Sequence, residues 1–180
     1  ESASRYQKHM NIKMYCVTIN DQHFDSIKKI GYIPVGLGKH IQNQNFVRDN
    51  TGENITNKNP YYGEYTFHYW MWKNKIKNLN KEWIGFCQYR KFWFLEGQKN
   101  EYKNLDDLKK SVIREIPKDY EKYDSIIGEP LFINQLKITK FFKKNFSKII
   151  KNPLFLIDKN KRNIKFHFDL MHGDGNLDKA

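Results

Sequence analysis

At 180 residues and 21.8 kDa, with 39% apolar and 16% aromatic residues and a mean hydropathy of −0.83, the chain suits one globular domain with a sizeable core and excludes disordered, fibrous and disulfide-stapled classes. No apolar run approaches the ~20 residues that a membrane helix needs. The formal net charge of +12 implies attraction to anions, whether nucleic acid, phosphate-bearing ligands or an anionic membrane surface; yet only five of the 32 basic residues are Arg, and a Lys excess beside abundant Asn and Ile is also what a biased genome produces.

Residues 1–9 are polar and patternless and read as a tag or tail ahead of one domain over 10–180. Lys13 to Ile19 predicts a strand, with Thr18 and Asn20 at its carboxyl end; the Asn20 side chain serves either the turn itself or a nucleobase or ribose. Ile33 to Gly38 predicts a second strand, whose Pro34 argues for a sheet edge and whose Gly36 would let a ligand approach the backbone. Asp49-Asn50-Thr51-Gly52-Glu53-Asn54 is a polar turn suited to presenting hydrogen-bonding groups.

Asn59-Pro60 then supplies a cap and a first-turn proline, and Tyr62, Tyr65, Tyr69, Trp72, Ile76 and Leu79 recur at helical spacing, so one helix is expected from about Pro60 to Asn78. Glu64, His68, Trp72 and Lys75 fall on another stripe of that helix. Trp83 to Cys87 predicts a buried strand that delivers Gln88, Tyr89 and Arg90 to its carboxyl end, where open α/β sheets bind ligands.

Asn104 is expected to cap a helix running to Ile116, with Pro117 ending it, and Tyr123 to Gly128 to form a further strand. Gln135 to Ile150 reads as a basic amphipathic helix, its lysine face either solvated or resting on anionic lipid. A basic loop, Lys159 to Arg162, and an untyped segment, Ile164 to Met171, follow. Cys16 and Cys87 lie in predicted buried strands without metal-ligand or disulfide spacing, which fits a reducing cytoplasm.

The succession Arg-Asp-Asn-Thr-Gly-Glu-Asn-Ile from Arg48, Asn-Pro-Tyr-Tyr-Gly-Glu-Tyr-Thr from Asn59, Tyr-Trp-Met-Trp-Lys-Asn from Tyr69 and Ile-Gly-Phe-Cys-Gln-Tyr-Arg-Lys-Phe from Ile84 resembles the DUF4422 proteins, bacterial glycosyltransferase-like domains found among polysaccharide-synthesis genes. The resemblance covers most of Asn11 to Ala180 and departs from the family pattern at Gln88, where His is usual, and at Lys91, where a second Arg is usual. It implies a GT-A-like (Rossmann-like) α/β fold, a mostly parallel sheet flanked by helices, cut short at the carboxyl end in mid-pattern. It also implies transfer of a sugar from a nucleotide-sugar donor, a UDP-sugar with UDP-galactofuranose among the candidates, to a glycan or lipid-linked glycan acceptor. Such an enzyme would work in the cytoplasm, in part at the inner face of the membrane.

That chemistry assigns expectations to residues. The leaving diphosphate needs a divalent metal or fixed cations, because its negative charge grows as the glycosidic bond breaks. No Asp-x-Asp stands at any predicted strand end, so Mn²⁺ or Mg²⁺ dependence has no motif behind it, and no residue is assigned to a metal. Arg90, with Lys91, Lys73 or Arg48, is the candidate phosphate partner; the competing reading pairs Arg90 with Glu64 inside the core. Glu64 and Asp49 are the candidate catalytic carboxylates, one acting as base toward the acceptor hydroxyl. Thr18, Asn20, Gly36, Asn50, Gln88 and Tyr89 complete the expected substrate site, and Tyr69, Trp70 and Trp72 either stack on a sugar or uracil or simply fill the core. His172 with Asp174 is a weak further pair. Two other classes stay open at this point: a basic nucleic-acid-binding module, disfavoured because the aromatic cluster lies on a helix beside Glu64, and a truncated transferase-like domain that binds donor without turnover.

Overall fold

A computed structural model describes residues 10–79, 82–95, 102–128, 146, 147, 150 and 151. The chain divides into two compact units, Glu1–Ile126 and Ile127–Ala180. In the second unit Ile127 and Gly128 carry no regular structure, while residues 146, 147, 150 and 151 are helical with exposed side chains. The rest of the expected Gln135 to Ile150 helix, the Lys159 to Arg162 loop, the Ile164 to Met171 segment and the His172–Asp174 pair lie outside the described residues.

The first unit is built on β1 (Met10–Thr18), whose inner half alternates Met14 and Cys16 with Tyr15 and Val17. An apolar run of this kind is stable only when both faces are covered. Beneath one face pack Ile27, Ile30, Tyr32, Leu108 and Val112; over the other pack Val35, Leu37, Phe67, Trp70 and Met71. β1 pairs in parallel with β2 (Ile33–Gly36) on one side and with β3 (Trp83–Gln88) on the other. A short antiparallel strand, β4 (Glu115–Ile116), joins the start of β1 through Met10 and Asn11. The molecule therefore has the open, mostly parallel α/β sheet that the strand order implied. Pro34 sits on β2, which among the described strands pairs with β1 alone, as a residue without an amide donor requires.

Helices cover the faces. α1 (Phe24–Lys29) follows β1 and buries Ile27. α2 (Asn59–Tyr62) and α3 (Tyr65–Asn74) precede β3, and α4 (Leu105–Ser111) follows it, capped by Asn104, which accepts the Asp107 amide at 2.9 Å.

Three expectations are corrected. The single helix from Pro60 to Asn78 is broken at Gly63, which takes φ 55° and ψ −128°, a conformation that L side chains avoid; Ile76–Asn78 then continues only as a 3-10 turn. The break resets the buried stripe to Thr66, Phe67, Trp70 and Met71, leaving Tyr65 64% and Trp72 55% exposed. The Asn104 helix stops at Ser111, because Val112 turns to ψ 146° to bridge Phe94 and the β-branched run behind it reaches β1 as β4. Tyr123 to Gly128 forms no strand, and Ile127 is among the most exposed apolar residues described.

Candidate functional site

The three parallel strands end level. Thr18 is in register with Gly36, Val17 with Gln88, and the ladder runs one step further through Leu37 N–H to the Thr18 carbonyl (2.9 Å) and Tyr89 N–H to the Val17 carbonyl (3.0 Å). Polar side chains gather at this edge because β1 and β3 both run straight into turns there. Asn20 accepts the Gln22 amide at 3.0 Å and so starts the turn into α1, which answers the open question about its side chain in favour of the turn. That turn swings His23 back over the sheet. Its ring bonds Thr18 Oγ1 through Nδ1 at 2.8 Å and stacks on Tyr89 with centroids 3.5 Å apart and planes 15° apart.

Beyond β3 the chain reverses through Gln88 to Lys91, the Lys91 amide reaching the Gln88 carbonyl at 2.9 Å. Arg90 occupies the corner with φ 78°, a left-handed conformation rare for a residue with a side chain. Its guanidinium is exposed and joins no ion pair with the described residues. The expected alternative, Arg90 paired with Glu64, is not what forms. Glu64 instead accepts a 2.6 Å hydrogen bond from the Gln88 side-chain amide. It stands just ahead of α3, where the Gly63 break releases its side chain from capping the helix, so that it reaches the end of β3.

The structure thus brings together Thr18, Asn20, Glu64, Gln88, Tyr89 and Arg90, with His23 as the member that sequence reasoning missed. Its signal was modest: a ring-bearing polar residue a few positions after a strand end, inside a turn already marked by Asn20 and Asp21.

The other expected residues are placed elsewhere. Gly36 is not open to a ligand, since a side chain there would lie 2.8 Å from Ile41 Cγ2 and 2.9 Å from the Phe46 ring; these residues fill the space. Arg48 spends its guanidinium on the loop after β2, donating to the Gly38 carbonyl at 2.9 Å and the Ile41 carbonyl at 3.0 Å, and is a loop clamp rather than a phosphate ligand. Asp49 is 0% exposed, and its carboxylate oxygens accept no hydrogen bond from the described residues, so in this conformation it does not meet an acceptor hydroxyl. Asn50 is exposed on that loop. Tyr69, Trp72 and Lys73 form a separate surface cluster with Glu53: Tyr69 Oη donates to Glu53 Oε1 at 2.7 Å, Lys73 Nζ lies 3.0 Å from the same oxygen, and the ammonium sits 4.3 Å from the Trp72 ring centroid. Trp70 belongs to the core and donates its indole N–H to the Thr51 carbonyl at 2.8 Å.

Cys16 and Cys87 face each other in register as buried free thiols; the mutual hydrogen bond, then burial, pushes the Cys87 thiol up. Among the described residues no three His, Cys, Asp or Glu side chains gather as a metal site requires, and no helix is long and apolar enough to cross a membrane.

Two imidazoles near the edge have their protonated forms disfavoured. Burial, and then the Arg90 charge, lowers the pKa of His23; burial, opposed by Glu64, lowers that of His68, whose ring packs 4.7 Å from Phe86. A histidine that resists protonation in the folded state binds fewer protons than its unfolded counterpart as the pH drops through about 6.5, the ordinary histidine value, so folding stability is lost from that pH downward. His68→Gln is expected to flatten the decline of urea midpoint between pH 6.5 and 5. An unchanged decline would show that His68 titrates freely.

A model of the family described as Domain of unknown function (DUF4422) matches residues 13–171. No curated protein and no solved structure matches the chain.

Proposed function

We propose that this chain, which belongs to the DUF4422 family, is a glycosyltransferase that moves a sugar from a nucleotide-sugar donor, a UDP-sugar in the first instance, to a glycan or lipid-linked glycan acceptor. The observation that carries the reading is the pairing, at the level carboxyl ends of three parallel strands, of a carboxylate held by an amide with an arginine that has no ion-pair partner among the described residues. Ligands of open α/β sheets sit at such edges.

Each group has a task in the step. The acceptor hydroxyl oxygen bonds to the anomeric carbon as the bond from that carbon to the diphosphate oxygen breaks, and the hydroxyl proton passes to a carboxylate. Glu64 suits the last role: Gln88 engages Oε2 and fixes the carboxylate, leaving Oε1 to receive the proton. The electron pair leaves on the diphosphate, where Arg90 supplies fixed positive charge without reorganisation. Displacement of this kind inverts the anomeric centre. Asp49, being fully buried, drops from the catalytic pair. The net charge of +12 suits both an anionic donor and work at the inner face of an anionic membrane.

The test is calorimetric titration with UDP- and GDP-sugars, with and without Mn²⁺, on the protein and on Arg90→Ala. Binding of a nucleotide diphosphate that the variant loses supports the reading. Salt-sensitive binding of single-stranded or duplex nucleic acid with no nucleotide-sugar binding sinks it in favour of a nucleic-acid module.

A further inference from the structure

Beside the edge, on the face covered by α1 and α4, a cavity of 450 Å³ opens between Ser26, Ile30 and the segments Tyr89–Phe92 and Tyr102–Leu105. Its size falls in the range of small-ligand sites. Three features of its lining point to one kind of occupant. Tyr89, Phe92 and Tyr102 supply aromatic surface; Tyr89 is already stacked on His23 and edge-on to Phe92 at 6.1 Å, whereas Tyr102 is 43% exposed and its ring is in no aromatic pair among the described residues. Arg90 and Lys103 supply two cations, neither in an ion pair with a described residue, and Arg90 sits in a left-handed turn with φ 78°. Among the described residues no Asp or Glu lines the cavity. Asp106, on the first turn of α4, pairs with Lys29 at 3.1 Å.

We infer that this cavity binds a nucleoside diphosphate, the base lying against Tyr102 and the phosphates reaching Arg90 and Lys103. The inference rests on the transferase reading and extends it, by giving the donor's leaving group a seat on the side of β3 away from α3 and by adding Tyr102 and Lys103 to its ligands. An aromatic floor recognises a flat ring with little regard to its edge. A guanidinium and an ammonium beside it select phosphate over a neutral tail.

Titrations of UDP, uridine and inorganic pyrophosphate against the protein, Tyr102→Ala and Lys103→Ala test this directly. Both side chains are at the surface, so the variants should unfold at the wild-type urea midpoint. Tyr102→Ala is expected to weaken UDP and uridine roughly tenfold and leave pyrophosphate unchanged; Lys103→Ala is expected to weaken UDP and pyrophosphate roughly tenfold and leave uridine unchanged. UDP binding that neither variant alters overturns the cavity assignment while leaving the transferase reading intact. UDP binding that both variants weaken, with no UDP-sugar ever turned over, keeps the cavity and removes the transferase. Absence of UDP binding by the unmodified protein overturns both.

Discussion

On the proposed transferase reading, Glu64→Gln is expected to lower the rate of sugar transfer by a factor of about 10²–10⁴ and to leave UDP affinity within a factor of about two. The substitution keeps the length and polarity of the side chain, so the contact with Gln88 can re-form through the new amide oxygen. What disappears is the oxygen proposed to take up the acceptor's proton. Because the carboxylate is needed only as the acceptor hydroxyl attacks, the loss falls on turnover and not on nucleotide binding. Turnover of a UDP-sugar and UDP titration on the same preparation separate the two effects. Transfer within threefold of wild type would move the base elsewhere, and Glu64 would then be a residue that positions Gln88.

Phe67→Ala costs about 3–5 kcal/mol of folding stability. Phe67 is 0% exposed and is the ring on which the α3 face of the sheet converges, at 5.6 Å from Tyr15, 5.6 Å from Trp70 and 6.1 Å from Phe86. Shortening it leaves a cavity walled by three aromatic side chains that cannot all collapse inward, since Tyr15 and Phe86 are fixed by neighbouring strands in register. Urea unfolding followed by tryptophan fluorescence measures the change. A loss under about 1 kcal/mol would mean that α3 does not carry the core on that face.

What could be read from the amino-acid sequence, and what could not, follows from which forces are local. The strands were legible because β1, β2 and β3 are short apolar runs ending in turn-forming or polar residues, and apolar runs of that length become parallel strands when helices cover both faces. Their carboxyl ends were therefore legible as one shared edge, and Thr18, Gln88, Tyr89 and Arg90 do meet there. The helices were less legible. Periodicity continued through Gly63 as though one helix ran from Pro60 onward, but the glycine adopts a conformation outside the helical region, and this rotates Tyr65 and Trp72 out of the core.

The misplaced site residues share a cause: their roles are set by tertiary contacts. Arg48 resembles a phosphate ligand until the carbonyls of Gly38 and Ile41 are seen to occupy it, and Gly36 resembles a ligand-approach glycine until Ile41 and Phe46 fill its space. His23 went unnoticed because its importance comes from Thr18 and Tyr89, one five positions away and the other on a different strand. Gln88 also gains a physical meaning. The side chain there donates a hydrogen bond to Glu64, a task that an amide performs without titrating.

The most direct measurement is titration of UDP-sugars into the protein with Arg90→Ala as the control. Saturable binding that falls at least tenfold in the variant at unchanged fold stability is expected if the guanidinium at the strand edge holds the diphosphate as proposed. Equal binding by both proteins, or binding of nucleic acid alone, would contradict it.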